Sequence, residues 1–511
     1  MSYLALATRT GRTAALAAMA LVFPILLMAQ NYVFGPNVRV NDDSPGSHGH
    51  MLRSPGRRNI AARGDTVYVA EYSDRANDGY FHVYFARSTN GGQSFGPSVR
   101  IDRNTDGESP SLMLDDSGSI HLCWVNGNSN GGYFIYYARS TDGGLTFTNP
   151  VRASDSTAPI SGIGAGSLAV SRDGQRVYVA WDGGVQPRTD ITLNRSTDGG
   201  RTFLQPGVKV DDDSIGDSRR PALALFNDTI ILATWNGDYG IRFTRSTDAG
   251  ASFGSSFLLN DTAGGNTDCL YPCIGVDAGG WAYVVYRDPA SPLQLAVSED
   301  TGRSFRHEQA IPGTAGEYPS LWASADGKLY VSYDISAGGN EYVWFIFSPD
   351  RGTTFLAPVN PSNAPDWAWG SSSTVVANDQ GRVLVAWEDT RNDPTYFNDD
   401  IYFATGAMAA IVEPDLHGSA AVVCSVWPNP SRAPVHIEYF SLQPEVLSVE
   451  VYDLSGRLVR QVKNFYVNSG HQLLTWDGRD TKGIAVEPGI YFVRVQTSTG
   501  SLTRKVLLVK E

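Results

Sequence analysis

Cysteine is scarce, with four in 511 residues, and histidine and methionine number only eight and six. No Cys-x-x-Cys pairs occur, which removes a structural zinc module. Charged residues make up only 18%, while 53 glycines and 27 prolines punctuate the chain. That balance excludes a helical protein and favours short strands joined by many turns. Positive charge is in deficit, since 40 Lys and Arg face 53 Asp and Glu for a net charge of −13. A chain this acidic is repelled by phosphate backbones, so nucleic acid is not an expected partner. Long apolar runs are missing beyond the first 29 residues, so no transmembrane segment is expected in the mature chain. Apolar residues still reach 42% and aromatics 11%, enough for a large core.

The first 29 residues read as a secretory signal peptide. Arg9 and Arg12 precede an Ala-, Leu- and Met-rich run from Thr13 to Met28, and Ala29 offers a small residue at the cleavage point. About 16 apolar residues interrupted by Pro24 are short for a membrane span. Loss of the two arginines takes the mature charge to about −15. In an exported chain Cys269 and Cys273 are candidates for a disulfide across a short loop. Cys123 reads as a small core residue, and Cys424 falls in a linker spanning 411–425.

One octapeptide recurs six times. Its fixed residues are Ser88, Asn90, Gly92 and Phe95; Ser140, Asp142, Gly144 and Phe147; and Ser196, Asp198, Gly200 and Phe203. The others are Ser246, Asp248, Gly250 and Phe253; Ser298, Asp300, Gly302 and Phe305; and Ser348, Asp350, Gly352 and Phe355. The serines lie 52, 56, 50, 52 and 50 residues apart, too regular for chance. Asp accepts backbone N–H groups in a tight turn, Gly supplies a positive φ, and Phe is expected to plug the core between sheets.

This pattern resembles the Asp-box, or BNR repeat, of the sialidase superfamily. The resemblance implies an all-β chain whose residues 30–410 form a β-propeller. Four short strands surround each box, and a seventh unit without a box follows at Ser373–Ala377, Val383–Trp387 and Ile401–Ala404. Phe34–Val40 matches the strand after the first box, Phe95–Ile101, and is expected to complete the last blade. Seven blades are counted, or six if one unit is irregular.

Residues 426–511 carry a different pattern. Trp476-Asp477-Gly478-Arg479-Asp480 and Gly489-Ile490-Tyr491-Phe492-Val493-Arg494-Val495 suggest a small β-sandwich. They resemble the type A C-terminal sorting domain of the type IX secretion system, with an Ig-like fold. The resemblance implies passage through the periplasm and across a Gram-negative outer membrane, with the secretion machinery as a partner. A secreted or surface-displayed monomer is the expected form.

Each second strand ends in an aromatic, namely Tyr72, Trp124, Trp181, Trp235, Tyr286, Tyr333 and Trp387. Polar residues follow closely, so this face would suit a sugar or a protein ligand. The same aromatics equally suit the blade core, with the acids capping turns. The sialidase resemblance implies three arginines around a carboxylate; Arg220, Arg287 and Arg391 are candidates, with Glu388 and Asp389 as nearby acids. The Arg-Ile-Pro motif is absent, and Arg58-Asn59-Ile60 departs from it. Glu317-Tyr318 would form a nucleophile pair only if both pointed to one face. Asp102, Asn104 and Asp106 begin like a calcium loop, but Met113 stands where Glu is needed. No other cofactor is expected. Three functions remain open: a ligand-binding module, an exo-sialidase, and a structural surface protein.

Overall fold

The chain is described by a computed structural model that covers residues 31–408 and 423–509, apart from 53–57, 104–105, 128–131, 155–165, 184–188, 213–215, 261–268, 290–291, 307, 315, 338–339, 366–367, 394, 396, 428–430, 432, 442–444, 468–469 and 498–500. The expected leader, Asn104 and most of the linker lie outside these residues. All regular elements among them are strands. Two compact units separate, one of Gln30–Ala410 and one that holds Ile411–Glu511.

Each box folds the same way. In the third, Ser196 Oγ accepts the Gly200 N–H at 2.9 Å and donates to Asp198 Oδ1 at 2.7 Å. Asp198 in turn accepts the Thr202 N–H and hydroxyl at 2.9 and 2.6 Å. Partial burial opposes ionisation of Asp198, but the bonds from Thr202 and Ser196 prevail and hold its carboxyl down at about 2. The box phenylalanines are mostly half-buried, Phe203 being 9% exposed. They meet the preceding sheet edge-on: Phe95 against Phe403 at 5.3 Å, Phe147 against Phe85 at 5.1 Å, and Phe305 against Phe243 at 4.7 Å. The fully buried plug in each pair is therefore the partner ring.

Seven antiparallel sheets fill the first unit. Their second strands are Thr66–Ser73, Ile120–Gly127, Val177–Gly183, Ile230–Gly237, Ala282–Arg287, Leu329–Ala337 and Val383–Asp389. Buried side chains between consecutive sheets make a series of small cores. The seventh sheet packs on the first, with Val376, Leu384 and Ala386 against Ile60, Val67 and Val69. The N-terminal segment docks where expected: Tyr32–Phe34 pairs with Gly406–Met408, and Val38 and Arg39 pair with Phe403 and Tyr402. Gly406 faces Val383, the place that Ser88 takes opposite Val67.

A second repeated device was hidden in the sequence. Just past five of the described outer strands, a residue accepts an N–H from the neighbouring strand: Asn41 from Ile401, Asp102 from Val83, Ser154 from Ile135, Asp211 from Ile191, and Asn260 from Ile241. Asp102 Oδ2 also lies 2.8 Å from His82 Nδ1.

Asp211 is 4% exposed, and burial pushes its carboxyl up to about 6 despite the Ile191 N–H and the charge of Lys209. Its folded value exceeds the unfolded one, so stability is full below pH 4 and falls as pH rises from about 4 to 6. Asp211→Asn keeps an acceptor for Ile191 and removes the charge. The variant should gain about 3 kcal/mol over the wild type at pH 7 and nothing at pH 3.5. Urea unfolding at the two pH values measures this; an equal difference at both would refute it.

The second unit contains a three-stranded sheet of Val423–Trp427, Val435–Ser441 and Gly470–Trp476, and a four-stranded sheet of Glu445–Asp453, Leu458–Val467, Gly489–Gln496 and Ser501–Leu508. One core joins them, built on Ile437, Tyr439, Val449, Val451, Trp476, Val493 and Val506. The Trp476 indole donates to the Arg479 carbonyl at 2.9 Å, which fixes the turn that follows it.

Candidate functional site

Inner strands of the first unit share a defect. Register shifts by one residue between Glu108 and Ser111, Arg219 and Ala222, Leu270 and Cys273, Glu317 and Ser320, and Ser371 and Thr374. The first bulged residue in each has positive φ: Ser109, Arg220, Tyr271, Tyr318 and Ser372, between 49° and 58°. Such a conformation costs about 1–3 kcal/mol in a non-glycine residue and re-aims its side chain. In four of the five, proline follows: Pro110, Pro221, Pro272 and Pro319. A ring without an N–H suits a position that has left the ladder. That recurring proline was the available sequence signal, and it went unread.

The bulges are capped by the preceding sheet. Asn236 Oδ1 accepts the Tyr271 N–H at 3.1 Å, and Asp334 accepts the Ser372 N–H at 2.6 Å. Burial raises the Asp334 carboxyl well above its ordinary range, although the Ser372 and Ser373 bonds oppose this. Asn236 and Asp334 thus hold the bulged backbone of the next sheet.

Two bulged residues are aromatic and half-buried. The Tyr271 and Tyr318 rings lie 4.5 Å apart at 46°, and the Arg220 guanidinium sits 4.8 Å over Tyr271. Arg287 pairs with Glu317 at 2.8 Å. The Tyr318 hydroxyl is held above its ordinary value by a hydrogen bond to Tyr271, then by burial and by the charges of Glu317 and Glu341. Burial and the Glu317 charge raise the Glu341 carboxyl as well. Alternation along a strand separates neighbours such as Glu317 and Tyr318, but the bulge breaks it here. Arg220, Arg287, Glu317 and Tyr318 thus meet around the fourth to sixth sheets.

Below the bulges a narrow cavity is framed by Ser111, Ser167, Ala222, Cys273 and Ser320 from successive inner strands. Arg58 enters it, with one guanidinium nitrogen 3.4 Å from the Ile274 carbonyl and its carbon 5.1 Å from the Trp322 ring centre. Desolvation draws this guanidinium down to about 10. No carboxylate among the described residues forms an ion pair with Arg58.

The other predicted residues are placed differently. Arg391 is bound to Asp389 by two bonds of 2.9 and 2.6 Å and braces Asn37 and Asn363 while covering Tyr402. It ties the N-terminal strand to the last sheet and does not join Arg220 and Arg287. Asp389 also accepts the Trp387 indole N–H, and Glu388 accepts the Leu52 N–H. The seven aromatics Tyr72, Trp124, Trp181, Trp235, Tyr286, Tyr333 and Trp387 are at most 4% exposed and pack between sheets. Register also shows that Glu71, and not Tyr72, takes the place of these rings in the first sheet.

The expected disulfide is corrected. Cys269 and Cys273 are both thiols. Four residues apart in a regular strand they would share a face, but the bulge between them inserts one residue and reverses it. Cys269 packs toward the fourth sheet and Cys273 toward the sixth, where its thiol donates to the Val285 carbonyl.

Two segments of the chain match family models. Residues 425–510 match the secretion system C-terminal sorting domain, which indicates export across the outer membrane to the cell surface or beyond. No curated protein matches the chain. A protein of unknown function from Dyadobacter fermentans is similar in structure, at 12% identity and TM-score 0.48 over 74% of this chain and 99% of that one. A mutant of NanB sialidase from Streptococcus pneumoniae gives 10% and 0.43 over 72% and 94%. An α-L-arabinanase from Penicillium chrysogenum gives 11% and 0.44 over 63% and 99%. Residues 69–331 match the BNR repeat-like domain, and with more than half its length in that match the chain belongs to the BNR repeat family of sialidase-like propellers.

Proposed function

We propose that residues 30–410 form a seven-bladed propeller that binds a glycan at the mouth of its central channel, carried to the cell surface by an Ig-like sorting domain at 426–511. The observation behind this is the Tyr271–Tyr318 pair, two half-buried rings held out by left-handed bulges between Arg220 and the Arg287–Glu317 pair. Flat rings accept the C–H faces of a sugar, and the flanking charges accept its hydroxyls or an acidic substituent. The buried indoles take no part in it. A glycan array with the purified first unit linked to its own tail tests the reading. Tyr271→Ala and Tyr318→Ala should each weaken binding about tenfold. Trp235→Phe should leave it unchanged. An array without signal, or one unaffected by both tyrosine variants, would leave a protein ligand or a structural role.

A hydrolytic reading has one observation in its favour: burial and the Glu317 charge raise the Glu341 carboxyl, whose charge acts on Tyr318. A general acid beside a phenol suits glycoside cleavage. Sialic acid is the less suited substrate, because Arg391 is committed elsewhere and only Arg220 and Arg287 flank the tyrosines. Turnover of a fluorogenic sugar panel, lost in Glu341→Gln, would establish it.

A further inference from the structure

We propose that the first unit holds a transition-metal dication where the start of its first sheet meets its last sheet, bound by His50, Asp43 and Asp400. One ligand atom from each lies within 4.8 Å of the others, a spacing that closes onto a central ion with small side-chain movement. His50 and Asp400 are 0% and 1% exposed, and the Asp43 side chain is 15% exposed and leaves a path from solvent. A nitrogen donor with two carboxylates suits zinc or manganese better than calcium.

The orientation of His50 points the same way. Its Nδ1 lies 2.6 Å from Glu71 Oε2, and its Nε2 faces Asp43 Oδ2 at 3.0 Å. A carboxylate behind a histidine fixes the ring and its tautomer and turns the other nitrogen toward a metal. Glu71 is an unusual residue for its place. Six other sheets carry a buried Trp or Tyr there, and a glutamate at 0% exposure is costly unless something requires it. Its Oε1 is buried without a hydrogen-bond partner, so the histidine alone does not satisfy this carboxylate.

Asp43, Glu71 and Asp400 are acidic, and Arg39 lies 3.3 Å from Asp400. Asn41 donates to both Asp43 and Asp400, and Asn392 to Asp400, which holds the carboxylates in place. Metal here would clamp the loop at 41–51 to Asp400 in the closing strand. The site is remote in sequence from Tyr271 and Tyr318 and independent of the glycan reading.

The test is calorimetric titration of chelator-treated full-length protein with Zn²⁺, and metal analysis after dialysis. One ion per chain is expected, with a higher melting temperature in its presence. Asp43→Asn should weaken binding at least tenfold, and Glu71→Gln, which only re-aims His50, about 10- to 100-fold at unchanged stoichiometry. His82→Gln, at the comparable His82–Asp102 contact, should bind as the wild type does. No heat and no retained metal in the wild type would overturn the proposal, as would binding that survives in Asp43→Asn. Because the wild-type result decides the matter, a variant that fails to fold does not obscure it.

Discussion

Alanine at Gly92 is expected to cost about 3 kcal/mol, while alanine at its neighbour Gly91 should cost about 1. Both glycines have positive φ, 71° and 84°, so each substitution brings comparable backbone strain. They differ in what a methyl group would meet. At Gly91 the nearest atom is the end of the flexible Arg382 side chain, 3.2 Å away. At Gly92 the Phe403 ring would stand 2.0 Å from the new carbon, and Phe403 is 1% exposed in the core between the last and first sheets. The same contact recurs at Gly144 with Phe85, Gly200 with Tyr137, and Gly302 with Phe243. The second glycine of the box thus sets how closely one sheet approaches the ring of the sheet before it. Urea unfolding of the two variants checks this. Adding Phe403→Leu to Gly92→Ala should give a loss about 1 kcal/mol smaller than the sum of the single changes. Equal losses at Gly91 and Gly92 would show that only backbone strain matters.

Tyr32→Ala should cost about 4 kcal/mol, as much as a large residue in the middle of a core. Tyr32 is 3% exposed although it lies in the first described strand. Its ring packs edge-on against Phe345 at 5.2 Å and Phe347 at 5.1 Å, and Phe34 meets Phe345 at 5.4 Å. The N-terminal strand is therefore anchored into the sixth sheet as well as hydrogen-bonded to the seventh. Denaturant melts followed by tryptophan fluorescence should show the whole unit unfolding earlier in one transition. A loss below 1 kcal/mol would mean that backbone pairing alone holds the strand.

How far the chain was legible depended on periodicity. The boxes could be read because each copy repeats the same short-range bonds, and the match of Phe34–Val40 to Phe95–Ile101 foretold the docking onto 401–404. What escaped notice was anything that broke alternation. A bulge moves one residue across a sheet, so Cys269 and Cys273, four residues apart, do not share a face. The proline after four of the five bulged residues marked these places. Arg391 looked like an anion ligand because its tie to Asp389 is local but its other partners, Asn37 and Asn363, are remote. The His50–Glu71 contact escaped for a similar reason. Nothing local in the sequence announces that His50, in a two-residue strand, will pair beside Thr66–Ser73 and meet the Glu71 carboxylate there.

The N-terminal strand also bears on synthesis. From the moment Tyr32 leaves the ribosome until Met408 follows, this segment has no mate, and the sheet it will finish does not yet exist. Contacts so distant along the chain make folding slow and leave intermediates with open edges. Any product truncated before Met408 lacks both that mate and the tail read at 425–510, so the same break that leaves the N-terminal strand unpaired also removes the sorting domain.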